Sequence, residues 1–151
     1  MYKKIEKQSV LSSVVRLYPA GFISLLTFLT AFPAGYVLMI INWRRMGKRE
    51  TERSYIFGLV SSSLFMILLL PFYARAGCGI SIINIAFGIY FYNDMTNAMN
   101  AYERTGNSFA KENFFAGCLI GLLAVIIWVV LAAILTAAIN FFSGLLLIRP
   151  Q

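Results

Sequence analysis

Four long stretches of this chain contain no Lys, Arg, Asp or Glu: Leu17 to Ile41, Tyr55 to Tyr73, Ala76 to Asn93 and Asn113 to Ile148, runs of 25, 19, 18 and 36 residues. A helix rises about 1.5 Å per residue and needs roughly 20 residues to cross about 30 Å of hydrocarbon. Each run is long enough, or nearly so, to be a membrane span. A water-soluble domain of 151 residues has no single core large enough for such runs, and the composition agrees: 60% hydrophobic, 13% charged, mean hydropathy +0.76.

These runs predict an all-α integral membrane protein with four transmembrane helices, about 19–42, 54–73, 77–93 and 113–139, within a membrane domain over 19–151. Residues 1–18 read as a basic amphipathic helix on the membrane surface, because Val10, Leu11, Val14, Val15 and Tyr18 recur at helical spacing. Pro19 turns the chain into the first run, and Pro33 is expected to kink it. The alternative for this run is a re-entrant hairpin centred on Pro33, with both basic flanks on one side. The third helix keeps its period to about Arg104, with Gly106 as its left-handed terminus and Asn107 or Ser108 capping the next helix. Residues 94–112 therefore form the tip of a hairpin projecting from the bilayer. The fourth run is too long for one crossing, so 140–151 is expected to lie in the interface as an apolar tail.

The switch from apolar to basic in GYVLMIINWRRMGKRE, residues 35–50, marks a membrane edge. Trp43 suits the aromatic belt, Gly47 can end the helix, and Arg44, Arg45, Lys48, Arg49 and Arg53 reach the headgroups. They read as an orientation signal, and in a functional reading as a docking or acidic-lipid site. The net charge of +7 is explained the same way, with no nucleic-acid partner implied. Four full spans place Arg44, Arg45, Lys48, Arg49, Arg53, Arg104 and Lys111 on one side, and Lys3, Lys4, Lys7, Arg16, Arg75 and Arg149 on the other. The denser first set is assigned to the cytoplasm of a bacterial inner membrane.

Chemistry-bearing motifs are missing. The chain has no histidine and one aspartate, Asp94, and its glutamates lie in flanks or loops. Neither a metal site nor a cofactor site is expected. Asn93, Asp94, Asn97, Asn100, Glu103 and Arg104 would be the group for an interfacial enzyme, but a solvated helix face accounts for them. Cys78 and Cys118 fall about 20 Å apart along a helical hairpin, too far for a disulfide.

The spans do carry small and polar stripes. Gly77, Ser81, Asn84 and Gly88 share one face of the third helix, and Gly117, Gly121 and Ala124 one face of the fourth. Helices in lipid associate through close approach at small residues and through hydrogen bonds, so these stripes read first as packing or partner-binding surfaces. The expected function is a non-catalytic accessory, anchoring or inhibitory (immunity-type) subunit that binds another membrane protein or copies of itself. A homo-oligomeric channel or small-solute transporter, using Asn84 and the serines at 61–63, is the alternative.

Overall fold

The computed structural model describes residues 14–73 and 79–147, with side chains over 14–68 and 82–141. The described chain is mostly helical, with five helices: α1 (Ala20–Leu29), α2 (Phe32–Arg45), α3 (Arg49–Tyr73), α4 (Gly79–Arg104) and α5 (Phe114–Leu147). Among the described residues one helix, Phe114–Phe141 within α5, is long and apolar enough to cross a membrane.

The first apolar run is two helices, not one kinked helix over 19–42. Thr30 closes α1, its N–H donating to Leu26 O, and its hydroxyl competes for the same carbonyl at 2.6 Å. Ala31 is extended, and α2 begins at Phe32 with Pro33 in its first turn. Proline lacks an N–H and suits a helix start, so it opens the second helix instead of bending a single one. The two helices fold back on each other. Tyr18, just before α1, is hydrogen-bonded to Asn42, near the end of α2, and Gly35 packs against Thr27 halfway along. Both ends of the run therefore sit at one end of the molecule, with the break at Thr30 and Ala31 as the apex.

Three helices surround this hairpin. Helix α4 runs alongside it, with Asn84 level with the apex and Met95 level with Asn42. Helix α3 packs on α2 in the opposite sense, Trp43 against Tyr55 and Tyr36 against Gly58. Helix α5 approaches through Gly117 beside Tyr18 and Phe22, Gly121 beside Leu26, and Trp128 edge-on to Phe32. The core is this hairpin: Ile23, Phe32, Leu38 and Met39 are buried, with Phe91 and Met95 of α4 closing over them.

Two short strands tie the open end. Val15–Leu17 (β1) pairs in parallel with Phe109–Lys111 (β2), in register Val15 to Phe109 and Leu17 to Lys111. The described end of the segment expected to be a surface helix is thus a strand; residues 1–13 lie outside the described residues. Gly106, at φ 80°, ends α4. The next helix is capped by Asn113, whose Oδ1 accepts from Phe115 N–H, and not by Asn107 or Ser108. Helix α5 then runs unbroken through Asn140 to Leu147, where a break before an interfacial tail is expected from the sequence.

Candidate functional site

The break at the hairpin apex leaves main-chain groups that need partners. Phe32 N–H has no carbonyl one turn back, and it donates instead to Asn84 Oδ1 at 3.1 Å, reaching across from α4. Asn84 is 7% exposed, so this is a buried side-chain cap on a helix that starts in the interior. The carboxamide NH2 of Asn84 has no protein acceptor among the described residues. Nor, among the same residues, does Ala31 N–H have one.

Beyond the apex the hairpin ends while α3, α4 and α5 continue. The space left between them is a cavity of about 620 Å³, roofed by Thr30, Ala31 and Phe32 and walled by Met66, Asn84 and the α5 side chains from Val125 to Asn140. Trp128 also lines it, and the indole N–H of Trp128 is buried without a protein partner. Among the described residues no Asp, Glu, Lys or Arg is in this lining. Among the described residues, then, the cavity has donors without acceptors at its inner end, mostly apolar walls and no ionisable group. A charge placed there would lose its hydration without compensation.

At the opposite, open end of the hairpin the polar chemistry is ionic. Arg45 donates to Arg16 O at 2.8 Å and pairs with Glu112 at 2.6 Å, joining the strands to the end of α2, and it also stacks over the Tyr18 ring. The backbone N–H of Asn113, and after it Arg45, hold the Glu112 carboxyl below its ordinary range. Arg44 lies 3.7 Å from Glu52, and Lys48 sits over the Trp43 ring. The Trp43 indole N–H is buried and unpaired. Arg44, Arg49 and Arg53 line a recess of about 470 Å³ around the Gly47 turn.

Of the small residues singled out as packing or partner surfaces, three face groups of the same chain. Gly88 faces the Ser24 backbone, Gly117 faces Phe22 and Tyr18, and Gly121 faces Leu26 and Ala34. Ala124 lines a groove between α3 and α5. Gly77 lies outside the described residues, and of Ser81 only the backbone is described. Among the serines, Ser62 hydrogen-bonds Gly58 O and Tyr36 and does not face the cavity. Asp94 accepts a hydrogen bond from Tyr55 OH. Asn93, Asn97, Asn100, Glu103 and Arg104 are exposed.

Sequence reasoning missed Asn42, which is fully buried and holds both main-chain groups of Tyr18 as well as Met95 Sδ. Its signal is an amide at the end of an apolar run, which reads equally well as a membrane edge. Among the described residues no three His, Cys, Asp or Glu side chains gather as a metal site. Compared with models of known families, with curated proteins and with solved structures, the chain matches none.

Proposed function

We propose that this chain is an integral membrane protein in which α3, α4 and α5 cross the bilayer and the α1–α2 hairpin re-enters from the basic end. In this reading it admits a small uncharged solute to the cavity beneath the hairpin, as a channel or transporter does. The observation that carries it is the helix break at Thr30 and Ala31, capped by Asn84 beside a cavity. Irregular backbone at membrane depth is tolerated where it is buried in protein or lines a water-filled space, and broken helices are how membrane proteins build solute sites.

Membrane placement has its own support. The most apolar stretch of α5 is only 11% buried, whereas a core helix of a water-soluble protein is largely covered. Phe57 and Phe65 of α3 and Ile82 and Ile89 of α4 also turn apolar surface outward, with Phe57 75% exposed. Water would penalise such surface at about 25 cal/mol per Å², and hydrocarbon does not. Folding back the first run also removes the near tie in the charge count. Arg16, Arg44, Arg45, Lys48, Arg49, Arg53, Arg104 and Lys111 all lie at the hairpin's open end, eight of the thirteen Lys and Arg, and the other five lie outside the described residues. That bias favours the open end as the cytoplasmic one.

The hairpin then closes the cytoplasmic half, and the cavity opens toward the far side. From Trp128 to Asn140 it is about 18 Å deep by helical rise. Passage requires the apex to move, and the Asn84 cap is the contact that holds it. The test is solute flux, water and glycerol, into liposomes containing only this protein. Ala132→Leu, which fills the cavity without touching the cap, is expected to abolish flux that the unmodified protein supports. Absence of flux in both would reject this reading and return the chain to the accessory-subunit class, in which the outward apolar faces would meet another membrane protein.

A further inference from the structure

We infer that the basic recess at the α2–α3 turn and the apolar groove between α3 and α5 form one binding site for an acidic phospholipid, its headgroup among Arg44, Arg49 and Arg53 and an acyl chain below. The inference needs the membrane placement proposed above but not the solute cavity.

The tight turn at Gly47, where φ is 74°, brings the last turn of α2 against the first turn of α3. Three guanidinium groups then border one recess with a single carboxylate, Glu52. Glu52 is engaged by Arg44 at 3.7 Å, and Arg49 and Arg53 have no acidic partner among the described residues. The recess thus carries a surplus of two positive charges, three Arg less one Glu. Planar guanidinium forks match phosphate oxygens, and basic pockets between helices at the cytoplasmic face suit anionic headgroups.

Ile56 also lines this recess, an apolar contact that a lipid can use and a free phosphate cannot. Arg53, Ile56, Val60, Leu64 and Ile67 lie along one stripe of α3 at spacings of three and four residues. From Val60 to Ile67 this stripe forms one wall of a groove of about 360 Å³, with Ile127 and Leu131 of α5 opposite and Pro33 and Val37 at its base. Head recess and groove follow each other down one helix face over about 21 Å, more than the about 15 Å depth of one leaflet. Charge at one end and hydrocarbon along the rest is the pattern of an acidic phospholipid. A partner helix would leave the arginines unmatched unless it too carried acid at that depth.

The test is native mass spectrometry of the detergent-solubilised protein titrated with phosphatidylglycerol or phosphatidylcholine of identical acyl chains. The expected result is retention of one phosphatidylglycerol at least tenfold better than phosphatidylcholine. The double substitution Arg49→Gln, Arg53→Gln should bring that preference close to unity, while Arg104→Gln with Lys111→Gln, basic residues at the same end, should leave it unchanged. Val60→Trp, filling the groove from an exposed position, should weaken both lipids together. Equal loss in the two double variants would mean general charge attraction and would overturn the site. Glycerol phosphate displacing the lipid at equal concentration would overturn its acyl half. Retained phosphatidylcholine without preference, or no lipid retained at all, defeats this site alone, whereas a protein that stays dissolved and monodisperse without any detergent defeats the membrane placement on which it rests.

Discussion

Asn42 and Tyr18 are joined by two hydrogen bonds: Tyr18 N–H donates to Asn42 Oδ1 at 2.9 Å, and Asn42 Nδ2 donates to Tyr18 O at 2.8 Å. One side chain on α2 thus takes the place of a neighbouring strand for the residue that enters α1. Both residues are buried, so neither main-chain group has water as a substitute. This pair closes the open end of the hairpin as Asn84 closes its apex.

Asn42→Leu keeps the branching of the side chain at Cγ and leaves both Tyr18 groups unpaired. An unsatisfied buried polar group costs about 1–3 kcal/mol, so the variant should lose about 2 kcal/mol or more. Thermal unfolding in detergent is the measurement, and an unchanged midpoint would show that Asn42 does not hold the hairpin.

Gly35 and Gly21 separate close packing from mere helix position. A Cβ on Gly35 would press into Thr27 Oγ1 and the Phe91 ring, whereas one on Gly21 would meet nothing within 4 Å. Gly35→Ala should cost about 1–3 kcal/mol by overpacking. Gly21→Ala should be neutral or stabilising by up to about 1 kcal/mol, the helix-propensity difference. Equal midpoints in the two variants would contradict the fold-back of α2 onto α1.

Glu112 gives the pH dependence. Its carboxyl is held below the ordinary value of 4.5, first by the Asn113 N–H and then by Arg45. A depressed folded-state pKa contributes stability that is present above the unfolded value and is lost as pH falls through the folded one. The thermal midpoint should therefore decline below about pH 4.5, and Glu112→Gln should reduce that decline. The pair is partly exposed, so the effect is expected to be under about 1 kcal/mol. Identical acid profiles for the two proteins would remove Glu112 from the account.

Helix content, the glycine terminus at Gly106 and the basic cluster after Trp43 are legible in the sequence because each is a local pattern. The fold-back of the first run is not, since a helix–break–helix over 17–41 has the same uncharged length as one crossing. Its traces are there: Pro33 suits a helix start as well as a kink, Asn42 is an amide at the end of an apolar run, and the charges split seven to six when the run is counted as a span. Asn84 stands out as a polar residue in mid-run, but its purpose depends on Phe32, 52 residues away. Gly88, Gly117 and Gly121, read from the sequence as part of packing or partner-binding stripes, lie against Ser24, Tyr18, Phe22 and Leu26. Their partner is the hairpin of the same chain, which no spacing rule identifies.

The central claim is that the first apolar run enters and leaves on one side, and side-specific labelling tests it most directly. Val14→Cys and Lys48→Cys, each in a background with Cys78 and Cys118 replaced by serine, flank the hairpin on either side. A membrane-impermeant maleimide applied to inverted and to right-side-out vesicles should label both positions from the same face, the cytoplasmic one. Labelling of Val14→Cys from one face and Lys48→Cys from the other would mean that residues 19–42 cross the bilayer, and the hairpin, its Asn84 cap and the cavity beneath it would fall together.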